Sequence, residues 1–364
     1  MGQYTSYYLY QKYETRGEQE AIPVYPNVYS IDADGTRERI VKLDEDPQCG
    51  YVPPTPTPQY RWVNMPITQD YICDDCPTPT VKKLVANYSD GKVLNVDCNS
   101  DTELTLQDVR NHYNYNFVKM TSAVIGNCVT SIGDNAFGEV GGGSYCACYN
   151  LTSVTIPNSV TSIGAKAFFS CTSLTGVTIP DSVTSIGGAA FGYCTSFTSV
   201  TIPDSVTTID GYAFNSCSGL RSATIGNGVT SIGDWTFYHC SSLTSVTLGN
   251  SVTSIGSRAF DSCSLTAVTI PNSVTTIGDT AFGACGSLTS VTIPDSVTSI
   301  GRIAFYGCSN LTSVTVNATT PPTLGDSVFS RTNECPILVP SQSLDAYKSA
   351  SGWSSYADRI QPIS

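Results

Sequence analysis

Charge is scarce in this chain. Asp, Glu, Lys and Arg together make up 13% of its 364 residues, about half the usual share. Only 18 are basic against 30 acidic, a net charge of -12. The basic patches that lead nucleic-acid binding are therefore missing, and an anionic membrane surface is disfavoured. There are two histidines, His112 and His239, and neither has a nucleophile signature nearby. No P-loop or dinucleotide fingerprint occurs; Gly141-Gly-Gly143 lacks the strand and helix that would give it meaning. No apolar run approaches a membrane span, so membrane insertion is not expected. The first residues, Met1-Gly-Gln-Tyr-Thr-Ser-Tyr-Tyr-Leu-Tyr10, lack a basic start and an apolar core. They do not read as a secretory signal, and the expectation is a chain that stays where it is made or leaves by another route. The expectation for chemistry is no enzyme and no cofactor.

What the chain has instead is one sentence repeated from about residue 129 to 316: Leu151-Thr-Ser-Val-Thr-Ile-Pro-Asn-Ser-Val-Thr-Ser-Ile-Gly-Ala-Lys-Ala-Phe-Phe-Ser-Cys171 and its copies. Phe168, Phe191, Phe214, Phe237, Phe260, Phe282 and Phe305 advance by 23 residues, with one step of 22. Ile163 to Ile300 and Cys171 to Cys308 keep the same register. A fixed period of this length is the signature of a stacked solenoid. Within a coil, Leu151, Val154, Ile156, Val160, Ile163, Ala167, Phe168, Cys171 and Leu174 are assigned inward; Thr152, Ser153 and Thr155 point out. Val-Thr-Ile alternates as a strand, Pro157-Asn-Ser turns the chain, and Gly164 is expected to permit a tight bend. One parallel strand per coil lets backbone groups bond to the coils before and after. Burying about seven large apolar groups is worth on the order of 10–20 kcal/mol per coil, close to the chain entropy it opposes. An array is therefore stable where a lone coil is not. Eight coils at roughly 4.8 Å would extend roughly 40 Å.

Around this array the fold class expected is mainly β, with five segments. Residues 1–51, rich in Tyr and Val with turns between, read as a β-rich docking module. Residues 52–80 are a Pro/Thr-rich linker enclosing a short aromatic motif, Tyr60-Arg-Trp-Val. Residues 81–123 read as a β-hairpin around Ser89-Asp-Gly91 that caps the array, with Leu104-Thr-Leu106 a strand or the start of the cap. Residues 124–316 are the solenoid. A Gly-rich insertion, Gly138 to Cys146, interrupts its first coil; insertions of this kind fall in loops on one face. Residues 317–364 form a C-terminal cap with a last strand near Cys335–Pro340 and a short helix. Ser341 or Ser343 is the expected helix cap, and Trp353, Tyr356 and Ile360 are expected to pack it down.

Coils of the form Leu-x-x-Val-x-Ile-Pro-x-Ser-Val-x-x-Ile-Gly-x-x-Ala-Phe-x-x-Cys resemble the BspA-like leucine-rich repeat family over about 124–350. The resemblance implies a leucine-rich repeat solenoid that recognises host matrix or partner surfaces from a cell surface or as a secreted protein, with no catalytic residues. The leading modules, with their Pro/Thr linkers and Tyr60-Arg-Trp-Val, are similar to virion appendage proteins of phages that infect gut bacteria. Taken with the expectation that no leader is present, that second resemblance implies a location on the virion exterior. Virion proteins would be held through the N-terminal module and a host surface protein or glycan through the repeats, in a homo-oligomer or a monomer. A surface or secreted bacterial adhesin and a purely structural virion decoration are the alternatives.

Fifteen cysteines suggest a disulfide framework, but the periodic ones sit at one equivalent apolar place per coil and read as buried free thiols. Cys73-Asp-Asp-Cys76, with Cys49 and Cys98, could be a zinc site, disulfides or free thiols. Asp44-Glu-Asp46 and Asp74-Asp75 have no EF-hand spacing and read as solvated turns. An outward Thr column (Thr155, Thr178, Thr201, Thr224, Thr247, Thr269, Thr292, Thr315) hardly varies. It reads as a scaffold surface or a low-affinity face for a repetitive ligand. By contrast, the positions flanking Ala-Phe vary strongly and hold Tyr193, Tyr212, Trp235, Tyr238, His239, Arg258, Arg302 and Tyr306. Tyr, Trp and Arg dominate binding hot spots, which makes this stripe the candidate ligand-binding face; drift at solvent positions is the plain alternative.

Overall fold

The computed structural model describes residues 7–9, 27–31, 37–41, 81–98, 100–110, 119–138 and 147–363. The chain divides into two compact units, Met1–Asp74 and Asp75–Ser364. The Pro/Thr linker with its aromatic motif, Cys49, Cys73, Cys76, His112, the acidic pairs and most of the Gly-rich insertion lie outside the described residues. In the first unit, β1 (Tyr7–Leu9), β2 (Asn27–Ile31) and β3 (Arg37–Val41) form an antiparallel sheet in that order.

The second unit begins with the hairpin of β4 (Lys82–Tyr88) and β5 (Val93–Asp97). Gly91 supplies the left-handed residue of its turn at φ 81°. Strand β6 (Glu103–Leu104) pairs parallel with Ser131–Ile132. Helix α1 (Leu106–Arg110) follows, capped reciprocally: the Asp108 amide donates to Thr105 Oγ1 (3.3 Å) and the Thr105 amide donates to Asp108 Oδ2 (2.8 Å). Strand β7 (Met120–Ile125) is antiparallel to β4 on one side and parallel to Ser153–Thr155 on the other. The hairpin thus covers the edge that the first coil would leave open. Beneath it, Lys83 is fully buried with its Nζ 2.9 Å from the Asp108 carboxylate. Burial works to raise the Asp108 pKa, but the Thr105 amide, the Lys83 ammonium and the Thr105 hydroxyl together hold it below the usual carboxylate value.

Cys98 of this cap is bonded to Cys128 of the first coil, Cα atoms 6.2 Å apart. Of the readings open for Cys98, the structure takes the disulfide. Cys128 occupies the place that Ser159, Ser182, Ser205, Ser273 and Ser296 hold in later coils. The last four donate to the Val carbonyl of the preceding coil at 2.6–2.8 Å. At the array's entrance a covalent bond to the cap stands where later coils use a hydroxyl.

From there the coils stack in register as a mainly β, parallel leucine-rich repeat solenoid. The Ser-Val-Thr strands pair parallel from Ser199–Ile202 to Ser222–Ile225 to Ser245–Thr247, and again from Val268–Thr269 to Ser313–Val316. Each coil also carries a second, two-residue ladder at Ser-Ile on the return side, such as Ser162–Ile163 on Ser185–Ile186, where one strand per coil was expected. Every residue assigned inward in the first full coil, from Leu151 to Leu174, is buried. Phe137 to Phe329 form a continuous column of stacked rings with centroids 5.1–5.7 Å apart.

The bend after the second ladder differs from expectation. Gly164 does not take positive φ. Its missing Cβ matters because one there would lie 2.7 Å from the Asp134 amide of the coil before. Positive φ falls instead on two columns in which every residue given but Gly307 carries a side chain. One is Lys166, Ala189, Tyr212, Trp235, Arg258, Thr280, Ile303 and Ser327. The other is Ser170, Tyr193, Ser216, His239, Ser262, Ala284, Gly307 and Arg331. The conformation turns their amides along the array: Tyr212 donates to Asp234 O (2.9 Å), Trp235 to Ser257 O (2.8 Å) and His239 to Asp261 O (2.9 Å).

At the far end the strand Ile337–Val339 is followed by helix α2 (Leu344–Ser349), a 3-10 segment Trp353–Arg359 and the strand Ile360–Pro362, which returns parallel to Ile337–Val339. Trp353 and Ile360 are buried, and Tyr356 packs partly buried against the same core. Neither Ser341 nor Ser343 caps α2 through its side chain; Ser343 Oγ donates to Thr319 O instead (2.7 Å). Trp353 Nε1 and Tyr347 OH similarly donate to Pro322 O and Ala318 O, both at 2.8 Å.

Two outcomes follow. Phe237→Ala, which removes one rung of the Phe column, is expected to cost about 3–5 kcal/mol in a urea titration; an unchanged midpoint contradicts its place in the core. The folded Asp108 pKa lies below its unfolded value, so its contribution is full above the unfolded pKa and is lost as pH falls through the folded one. The acid limb of a stability–pH curve should lose this contribution below about pH 4, and Asp108→Asn should flatten that limb.

Candidate functional site

The variable stripe lies on the turn segment between the second ladder and the Cys column. That segment runs through positions such as 234–239, and its backbone conformation repeats from coil to coil. Side chains at one position therefore stand in a column, one rung per coil. Five of the eight candidates come together. The Tyr212 ring stacks on Trp235 (centroids 5.5 Å, planes 10° apart). The Arg258 guanidinium lies over Trp235 at 4.6 Å, a cation–π contact. Tyr238 meets Trp235 edge-on at 4.6 Å, and His239 lies 4.3 Å from Tyr238.

Trp235 is thus held between Tyr212 of the coil before and Arg258 of the coil after. Arg258 is fixed in turn by Asp261 (Nη1 to Oδ2, 3.2 Å), whose Oδ1 accepts from Ser262 Oγ at 3.0 Å. Burial raises the Asp261 pKa, against the lowering effect of Ser262, Arg258 and His239. The remaining three candidates stand apart. Tyr193, 44% exposed, packs edge-on against Phe169 at 5.3 Å. Tyr306 lies 5.2 Å under the Arg331 guanidinium. Arg302 is exposed, and its amide donates to Asp279 Oδ1 (2.7 Å).

Sequence reading missed Asp261 and Phe169. The signal for Asp261 was present, since Arg258 and Asp261 are three apart on a tight turn, but helical spacing rules do not cover this backbone. The outward Thr column from Thr155 to Thr292 is exposed, Thr315 half-exposed. Neighbouring Thr columns are structural: Thr152, Thr175, Thr198, Thr244, Thr266, Thr289 and Thr312 each donate to a carbonyl of the preceding coil. Among the described residues no group of three or more His, Cys, Asp or Glu side chains is placed to hold a metal ion, and no helix is long and apolar enough to cross a membrane.

A family model for the BspA type leucine rich repeat region matches residues 138–266 and 230–350, in six copies. Among solved structures, the chain is similar to a leucine-rich repeat protein from Bacteroides ovatus at 25% identity, over 77% of this chain and 67% of that one, with a TM-score of 0.55. It is also similar to a leucine rich cell surface protein from Faecalibacterium prausnitzii, 28% identical over 80% of this chain and 95% of that one, TM-score 0.41. No curated protein matches it.

The left-handed columns yield a test of their own. Ala284 is exposed at φ 51°, one rung from Gly307 in the same column. Ala284→Gly relieves the left-handed penalty of about 1–2 kcal/mol against a gain in unfolded-chain entropy of about 0.4–1 kcal/mol. A net stabilisation of about 1 kcal/mol is expected in denaturant titration; destabilisation would mean the position carries no strain.

Proposed function

Because this chain belongs to the BspA-type leucine-rich repeat family, we propose that it is a non-enzymatic recognition protein acting at a cell surface or as a secreted adhesin. It would work by rigid display: an invariant ladder presents side chains that differ from coil to coil, with no bond made or broken. The observation that carries this reading is the Tyr212–Trp235–Arg258 stack with Tyr238 and His239 beside it. Such a cluster combines residue types that dominate protein hot spots on a backbone that loses little freedom on binding.

The Cys98–Cys128 bond supports an oxidising location, since disulfides of this structural kind persist outside the reducing cytosol. The virion-appendage expectation rests on the Pro/Thr linkers and the Tyr60 motif, which lie outside the described residues, while the similar structures named above come from bacteria. The bacterial surface or secreted reading is therefore preferred. Partners at the first unit remain those of a docking module.

The test is attachment of the full chain to cultured epithelial cells and their deposited matrix. Trp235→Ser combined with Tyr238→Ser should keep the fold, at a cost of about 1–2 kcal/mol from lost ring contacts, and weaken attachment about tenfold or more. Undiminished attachment would remove the stripe from consideration.

A further inference from the structure

The stack that carries the recognition reading is open at one end. Trp235 has both faces covered, by Tyr212 and by Arg258. Tyr212 meets one ring among the described residues, that of Trp235, and is 43% exposed. The next rung toward the N-terminus is Ala189, in the same left-handed conformation (φ 54° beside 64° at Tyr212). Ala189 therefore offers a methyl where the column could hold a ring. Gly188 beside it adds no side chain, and the rung beyond is Lys166. The Phe column shows what one rung holds, since aromatic rings fill successive coils at 5.2–5.3 Å in this part of the array. The space between Lys166 and Tyr212 is one rung with its ring missing.

Phe169 lies beside the slot. Phe169 leans over Gly192, where a Cβ would lie 3.0 Å from its ring, and meets Tyr193 edge-on. The Lys166 ammonium is 5.6 Å from the Phe169 ring centroid. The side chains near the slot are thus Tyr212, Phe169, the Ala189 methyl and the Lys166 ammonium, with exposed Asp210 beside Gly188, where a Cβ would lie 3.9 Å from the Asp210 Cβ.

The geometry points to this slot as a subsite for one pyranose ring of a neutral glycan, stacked by its C–H face on the outer face of Tyr212. This assignment rests on the recognition reading above and names its ligand class. A sugar ring is one rung thick, apolar on its faces and polar at its rim. The slot matches that pattern with an aromatic face on one side and the Lys166 ammonium and Asp210 side chain near it. A buried cleft for an aliphatic peptide side chain would need apolar walls on every side, and here only Phe169 and Tyr212 supply them. The chain's net charge of -12 opposes polyanionic glycans.

The test is native affinity electrophoresis of the full chain through gels containing xyloglucan, galactomannan, laminarin or pullulan, with polygalacturonate and heparin as polyanionic gels. Retardation by at least one neutral polysaccharide is expected, and none by the polyanions. Tyr212→Ala should weaken the retardation about thirtyfold, the loss of one packed anchor. Ala189→Tyr, which fills the slot with a side chain this column already carries, should abolish it with melting unchanged. Lys348→Ala, exposed on helix α2 of the C-terminal cap, should leave it intact. Retardation only by polyanions, by no gel at all, or equally for Ala189→Tyr and the unaltered chain overturns the assignment. Attachment to epithelial cells and matrix, measured on the same samples, separates the two readings. If attachment persists without glycan binding, the recognition face stands and its ligand is a protein; if both are missing, the recognition reading fails with it.

Discussion

Every coil must hand its backbone hydrogen bonds to its neighbours, including where it is not a strand. A turn ordinarily closes its bonds on itself or on water. Here turns are stacked on turns, so amides must point along the array or be buried without a partner, at about 1–3 kcal/mol each. The left-handed residues are the solution. Placed twice per coil, they rotate alternate amides toward the next coil, as at Lys166 to Gly188 O and Ser170 to Gly192 O. The left-handed penalty is of the same size as the desolvation it avoids, so the arrangement is tolerable on any residue and does not require glycine. That tolerance is what frees the outer positions to vary, and the variable stripe depends on it.

Much of this was legible in the sequence. The period, the inward set, the Phe and Cys columns and the closing role of Trp353 follow from repetition and from apolar side chains having only one place to go. The left-handed columns were not legible, because Tyr212, Trp235 and Ile303 are residue types that ordinarily argue against positive φ, while Gly164, which invited that reading, serves close approach instead. The Cys98 to Cys128 bond was hidden because Cys128 sits in a slot where Ser is the rule. The candidate residues could be named but not grouped. Tyr212, Trp235 and Arg258 are each 23 apart, and that offset puts them in contact only once the backbone rung is known to repeat faithfully.

The Cys column shows how one residue type can serve two needs. Each thiol from Cys194 to Cys308 sits beside the Phe ring column and reaches the carbonyl of the Phe one coil back, at 3.1–3.2 Å from sulfur to oxygen. Alanine would leave space and serine would bring a stronger demand for partners; a thiol is apolar enough for the core and still a weak donor. Burial pushes these thiols up, Cys217 and Cys308 to about 12. They are therefore poor nucleophiles and poor targets for oxidation, which lets them share a chain with the Cys98–Cys128 bond.

Since each coil takes its bonds from the one before and gives them to the one after, the junctions at both ends of any coil are nearly interchangeable. A whole unit can be duplicated or lost in the gene and the caps will still meet a matching surface. The length of the array, and with it the distance that separates one set of outer side chains from another, can change by roughly 4.8 Å at a time without redesign of the fold. Selection on such a chain can act on spacing and on surface chemistry as independent variables.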